Sequence, residues 1–352
     1  MAATVLVGGV VLVLGASSVN SSPGAAGPEP GLELDAKRNL ATAASGAVEN
    51  GSLFAVWWED YCELSCYSVW RGGPEAPFRR LRVSPEGTPC ISQDGSRLAY
   101  AGKRRSIVVQ RISPRSDELG PPKVIARLPR GQASAPPDCA WSPNGHSLVL
   151  VGYGNSVGLR SEGSVWRLER DGTGLRKLSE VPGNVARYPG DPAWSSTGQI
   201  AFASGGERAW MAMVDSNGGN MRRLGLPRGH SPAWSPDGRQ LAFVNSAGAE
   251  YESIWPGPVM VADANGEDVR RLRRGQYGAV AFSPNGRRIA FAHSFVPPRG
   301  SDRVEITRTD GTTIRTLPVA HKSIFAIRLT WTNRAGAPAG ERPTKDAGAL
   351  LP

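Results

Sequence analysis

Six glycines recur at matching places along the 352-residue chain, and the letters around them repeat. They stand in VENGSLFAVW at Gly51, SQDGSRLAYA at Gly95, SPNGHSLVLV at Gly145, SSTGQIAFAS at Gly198, SPDGRQLAFV at Gly238 and SPNGRRIAFA at Gly286. The intervals are 44, 50, 53, 40 and 48 residues, and each is about the length of one four-stranded β-propeller blade. Such a period constrains the architecture before any single segment does, because one unit cannot bury its apolar faces without neighbours.

Within a unit, a short apolar stretch ends in a Pro-Asp-Gly or Pro-Asn-Gly turn, and apolar residues then alternate. Leu98/Tyr100, Leu148/Leu150, Ile200/Phe202, Leu241/Phe243 and Ile289/Phe291 recur at every second position, which places each pair on one face of a strand. A second hairpin follows, as in VWRLERDGTGLRKL from Val165 and VEITRTDGTTIRTL from Val304. Its turn carries Asp171-Gly172, Asn217-Gly218, Asn265-Gly266 or Asp310-Gly311, dipeptides suited to a type I′ turn. Each unit is therefore four antiparallel strands, a to d from the axis outward.

The expected fold is all-β: a six-bladed propeller of four-stranded blades over residues 34–332. The stretch AIRLTW, ending at Trp331, matches strand a but has no strands after it. Entering the first blade beside the segment from Leu53, it latches the ring and leaves no open edge. Residues Leu40 to Ser45 are an alternative source of that strand, in which case there is a partial seventh blade. The Pro-, Gly- and Ala-rich residues 333–352 read as a disordered tail.

These residues resemble the TolB-type propeller repeats, whose units read Pro-x-Trp-Ser-Pro-Asp-Gly, an alternating strand, a variable loop and a second hairpin ending in basic residues and Leu. The resemblance spans about Leu40 to Trp331. It implies the fold, and for the whole of TolB it implies a preceding α/β domain with contacts in an envelope complex; no stretch before Gly51 is long enough to supply that domain.

The first charged side chain is Glu29, and an apolar block runs from Val5 to Leu14. Residues 1–20 read as an export signal or, uncleaved, an N-terminal membrane anchor, and residues 21–33 as a linker. The chain is thus expected in the periplasm, the cell envelope or outside the cell. Four cysteines allow three connectivities. The preferred one joins Cys62 to Cys66 and Cys90 to Cys139, because the latter two begin successive repeats. Zinc is a weak reading of Cys-x3-Cys with no second cluster.

The formal charge of +10 raises nucleic acid as a partner, but the basic residues are spread rather than grouped in a groove. Arg79/Arg80, Arg127, Arg176/Lys177, Arg222/Arg223, Arg270/Arg271 and Arg315 each precede the end of strand d, where charge blocks edge-to-edge pairing. Trp141, Trp194, Trp234, Phe282 and Trp331 recur at one place in strand a and read as filling between blades. No Gly-x-Ser-x-Gly elbow occurs, the Ser-x-Asp-x-Gly box is absent, and His146, His230, His293 and His321 have no metal-ligand spacing and read as surface or loop residues. Neither catalytic residues, a metal nor a cofactor is assigned.

Two places remain for function. Asp138 and Asp191 stand three residues before the repeat tryptophan, at the channel mouth, where they either hold a cation or a ligand amine or cap backbone donors. The b-to-c loops and blade connections are long and unlike one another, and variable loops on a regular scaffold are where recognition resides. Tyr153, Tyr251, Trp255 and Phe295 bring aromatic anchors there, and Lys103, Arg104 and Arg105 bring charge. The resulting expectation is an exported, monomeric, non-enzymatic scaffold that binds a protein or cell-envelope component. A lyase or hydrolase of an envelope or extracellular polymer, working at the channel mouth, is the alternative.

Overall fold

The computed structural model describes residues 51–59, 66–73, 76–83, 85, 87–114, 116–130, 137–153, 163–181, 189–204, 210–246, 256–294, 303–319 and 325–333. In chain order the strands are β1 (Leu53–Glu59), β2 (Cys66–Gly73) and β3 (Ala76–Arg80), then β4 (Cys90–Ile91), β5 (Arg97–Gly102), β6 (Ser106–Arg111) and β7 (Lys123–Arg127). Next come β8 (Asp138–Trp141), β9 (Ser147–Tyr153), β10 (Gly163–Glu169) and β11 (Arg176–Val181), then β12 (Pro189–Trp194), β13 (Gln199–Ser204), β14 (Met211–Asp215) and β15 (Arg222–Arg223). The last are β16 (Gly229–Trp234), β17 (Gln240–Asn245), β18 (Gly257–Asp263), β19 (Arg270–Phe282), β20 (Arg288–His293), β21 (Arg303–Arg308), β22 (Thr313–Pro318) and β23 (Phe325–Trp331). Among the described residues there is no α-helix, and none long and apolar enough to cross a membrane.

All pairings are antiparallel, in a propeller-like arrangement. Strands β4–β7, β8–β11 and β12–β15 form three four-stranded sheets, and β16–β22 form one of seven. The long strand β19 serves twice: Arg270 to Arg273 pair with β18, and Tyr277 to Phe282 pair with β20. The remaining sheet has the order β23-β1-β2-β3, so the last strand lies beside the first, with Leu53 opposite Trp331.

The alternation in each second strand sorts side chains by size between two neighbours. Leu148 and Leu150 pack toward the β4–β7 sheet, whereas Val149 and Val151 pack toward the β12–β15 sheet. Phe202 and Ile200 likewise face the β8–β11 sheet while Ala201 faces β17. Large side chains thus meet smaller ones across each seam, the interdigitation that dense packing requires. One such cluster joins Leu53, Trp57 and Trp331 to Ala290, Val304 and Ile306. Fully burying a Leu, Ile or Phe contributes about 1.5–3 kcal/mol each.

The repeat aromatics Trp141, Trp194, Trp234, Phe282 and Trp331 lie in these seams, as expected. Two also carry a polar fastening: the Trp141 indole N–H donates to the Cys90 carbonyl (3.2 Å) and that of Trp234 to the Ala193 carbonyl (3.2 Å). The serine before each Pro-Asp-Gly or Pro-Asn-Gly turn caps the turn from inside. Ser235 Oγ donates to Asp237 Oδ1 and accepts the Gln240 N–H, and Ser142 and Ser283 repeat the pattern. The Asp94 and Asp237 carboxyls are consequently held below the usual carboxylate range, chiefly by hydrogen bonds from Ser92 and Ser235, with burial opposing the effect most strongly at Asp94.

The outer hairpins differ from the type I′ expectation. Of each Asp-Gly or Asn-Gly pair only the glycine has positive φ, +98° at Gly172 and Gly218. Gly172 N–H donates to Glu169 O, and Glu169 N–H to Thr173 O. This is a three-residue loop with glycine in the left-handed position, so Asp171 need not adopt positive φ. Its carboxylate instead accepts the Thr173 N–H (2.9 Å). Glycine is required for a second reason: a Cβ would stand 2.1 Å from the Ile125 carbonyl at Gly172 and 2.2 Å from the Leu178 carbonyl at Gly218, each in the preceding sheet. Gly218→Ala is expected to destabilise the protein by about 2 kcal/mol, from left-handed strain and this contact, measurable by urea denaturation. An unchanged midpoint would show that the outer seam is loose there.

The rim arginines and Lys177 are exposed on the outer strands as expected. Two histidine expectations are corrected. His230 is buried, and His293 keeps only 17% of its side-chain surface exposed, because both lie on strands flanked by other sheets. His146 is exposed on a turn, and His321 lies outside the described residues.

Candidate functional site

Residues of β4, β8, β12, β16, β19 and β23 surround one cavity of about 290 Å³. Its lining runs from the turns after these strands (Pro143, Ser196, Pro236, Pro284) back to Asp191, Ser231 and Arg328. Along the strands, the lining thus extends from those three polar residues to the short turns. Indole and proline rings make up much of the wall.

Counting three residues back from Trp141, Trp194, Trp234 and Trp331 gives Asp138, Asp191, Ser231 and Arg328, the same place before Ile91 gives Thr88, and only Phe282 has an apolar residue there, Ala279. The polar side chains form a relay between sheets. Asp138 Oδ2 accepts the Asp191 N–H (2.8 Å), and Asp191 Oδ2 accepts the Ser231 N–H. Ser231 Oγ lies within hydrogen-bond distance of the Gly278 (2.8 Å) and Ile327 (3.1 Å) carbonyls. Arg328 donates to Asp191 Oδ1 (3.0 Å) and to the Cys139 carbonyl. Thr88 is hydrogen-bonded to Asp138 and to Tyr67, whose phenol burial pushes up.

The backbone is bent to make these contacts. Asp191 and Ser231 have φ of +51° and +50°, at bulges in β12 and β16. A left-handed residue costs roughly 1–2 kcal/mol, and here the turn aims each N–H at the preceding carboxylate. Gly190 leaves room for it, since a Cβ there would lie 2.7 Å from Asp138 Oδ2.

Burial pushes the carboxyls of both Asp138 and Asp191 up, and the Arg328 guanidinium pulls both back down. The Asp191 side chain keeps 20% of its surface exposed and that of Arg328 only 9%, so desolvation of the carboxylate is partial on its cavity side. The structure brings the two aspartates together, but in series: Asp191 lines the cavity and Asp138 stands behind it. Among the described residues no group of three or more His, Cys, Asp or Glu is placed to hold a metal. Cys90, which lines the cavity, and Cys139 form a disulfide between β4 and β8, with Cα atoms 5.8 Å apart. The expected Cys62–Cys66 pair lies outside the described side chains.

The loop-face residues are placed less fully. Lys103–Arg105 form a 3-10 turn between β5 and β6, with Lys103 and Arg104 exposed and Arg104 and Arg105 at φ of +54° and +60°. Arg105 Nε donates to the Leu128 carbonyl (3.1 Å), tying the turn to its own sheet. Tyr153 ends β9; its side chain, and all of Tyr251, Trp255 and Phe295, lie outside the described residues.

Two polar groups escaped sequence reasoning. Arg328 and Ser231 share the position of Asp138 and Asp191, and aligning that column was the available signal. The other group sits where β19 passes between blades. Glu305 there is hydrogen-bonded to Tyr277 (3.1 Å) and Arg273 (3.2 Å) and lies 3.4 Å from His293 Nε2. Burial and the Arg303 charge hold His293 below the ordinary imidazole value, and burial pushes Tyr277 up to about 12. No local pattern announces that contact.

The fold is that of a β-propeller, with a cavity that has Asp191, Ser231 and Arg328 at one end of its lining. A solved structure of TolB from Acinetobacter baumannii is similar with a TM-score of 0.59 and 16% identity, covering 87% of this chain and 74% of that one. Looser likenesses include an oligogalacturonate lyase in complex with manganese (TM-score 0.48, 12% identity, 77% and 86% coverage). A gluconolactonase from Xanthomonas campestris is another (0.46, 16%, 67% and 76%). At these identities the likeness is one of fold. No protein-family model matches the sequence, and no curated protein matches it.

Proposed function

We propose that the sheets close into a ring of six blades, the seven-stranded sheet counting as two, and that this ring is an exported, monomeric, non-enzymatic scaffold that recognises a cell-envelope component. The reading rests above all on how the axis is built. Its charged groups are directed at one another and at backbone groups of other blades: Arg328 reaches the opposite blade at Asp191 and a third blade at Cys139. Such an interior holds blades in place, which leaves recognition to the loops. The pairing of β23 with β1 and the apolar seam between Trp331 and Ile306 support closure. The Cys90–Cys139 disulfide supports export, since such bonds persist in oxidising compartments.

The recognition face is the one bearing the b-to-c loops, with Lys103, Arg104, Arg105, Tyr153, Tyr251, Trp255 and Phe295. The two left-handed arginines support it, since strained residues collect at functional places. Capture from envelope extracts tests the face. Tyr251→Ala/Trp255→Ala is expected to lose the captured component, and Arg176→Ala/Lys177→Ala on the rim to retain it. Equal capture by both would remove this face from consideration. Sequencing the mature N-terminus tests export, with cleavage near residue 20 expected.

A further inference from the structure

The cavity's lining reaches the short turns and includes none of those loop residues, so what it binds is a separate question from the scaffold's partner. Its inner end is short of donors to offer. The Ser231 hydroxyl already lies between two carbonyl oxygens, at 2.8 and 3.1 Å, and the Ser231 N–H goes to Asp191. Both terminal nitrogens of Arg328 are engaged, and its Nε is fully buried. What faces the cavity is acceptor: a carboxylate with lone pairs to spare and the oxygen of Ser231. Two carboxylates, Asp138 and Asp191, stand against one guanidinium, and Asp191 is the more exposed member of its ion pair.

The walls add to this bias. Trp194 and Trp234 are partly exposed, belong to neighbouring blades, and line the cavity together with Asp191 and Ser231. Indole faces attract cations and cover apolar carbon. A volume of about 290 Å³ is at the lower end for small-molecule pockets.

We infer that this cavity is a binding site for a small organic ammonium, its N–H groups directed at Asp191 and Ser231 and its carbon body against Trp194 and Trp234. A primary ammonium brings three donors and one positive charge to a place where two carboxylates stand against one guanidinium whose terminal nitrogens are already engaged. A carboxylate ligand would meet Asp191 before it met Arg328.

Isothermal titration calorimetry on the purified full chain tests the assignment with n-hexylammonium, 1-hexanol, hexanoate and calcium chloride. Hexylammonium is expected to bind, hexanol about tenfold or more weakly, and hexanoate not at all. Asp191→Asn, with its fold checked by circular dichroism, is expected to weaken hexylammonium about tenfold while leaving hexanol unchanged. The ranking on the unaltered protein decides the question even if that variant fails to fold. Hexanol or hexanoate binding as tightly as the ammonium would overturn the inference, as would no binding of hexylammonium, or calcium binding that hexylammonium does not displace.

Discussion

Replacing both Cys90 and Cys139 by alanine is expected to cost about 4 kcal/mol of stability, because the bridge closes a loop with a sequence separation of 49 residues. Both cysteines are buried in the seam between β4 and β8, beside Trp141 and Leu150, so lost packing adds to the loop entropy. For a protein of this size the melting temperature should fall on the order of 10 °C. Differential scanning calorimetry with and without a reductant checks it. The reduced native protein should melt well below the oxidised form and the double-alanine variant lower still, and coincident melting of all three would show that the cross-link constrains nothing.

Arg328→Met is the second large effect. Removing one partner of a buried ion pair leaves the other uncompensated, at a cost of about 3–5 kcal/mol near neutral pH. The pH dependence carries the more specific information. Asp138 and Asp191 have folded pKa values above the ordinary 3.8. Their contribution is therefore fully present below that value and is lost as the pH rises through the folded pKa. Arg328 pulls both values down, so without it they climb further. The variant's deficit should be greatest near neutrality and shrink as the pH approaches about 4. Denaturant titrations across that range would measure it, and a deficit independent of pH would mean that Arg328 acts by packing alone.

Much of the fold was legible because a repeat forces every unit to solve the same packing problem. Leu148 and Phe202 predict their seams from alternation alone, and Trp141 or Trp234 predicts the filling of each gap. AIRLTW could be placed because a lone strand has nowhere else to pair. The hairpin turn type was not legible, since Asp-Gly suits both a two-residue and a three-residue loop, and the latter shows only in the hydrogen bonds of Gly172 N–H to Glu169 O and of Glu169 N–H to Thr173 O.

The candidate site was half legible. Asp138 and Asp191 stood out as like residues at like places, whereas Arg328 and Ser231 share only the place, and repeats are noticed by their letters. That Arg328 meets Asp191 depends on the two strands facing each other across an axis, a relation with no trace in local spacing. Glu305 and His293 were hidden for a similar reason: β19 runs unbroken from one blade into the next and carries Arg273 and Tyr277 to them.

A crystal structure of the purified protein tests the closed ring most directly. It should show β23 hydrogen-bonded to β1, with Leu53 opposite Trp331, and the Arg328 guanidinium on the Asp191 carboxylate within the cavity. Electron density placing β23 away from β1, with the β1 edge free and Arg328 turned to solvent, would contradict both the ring and the ammonium site at its centre.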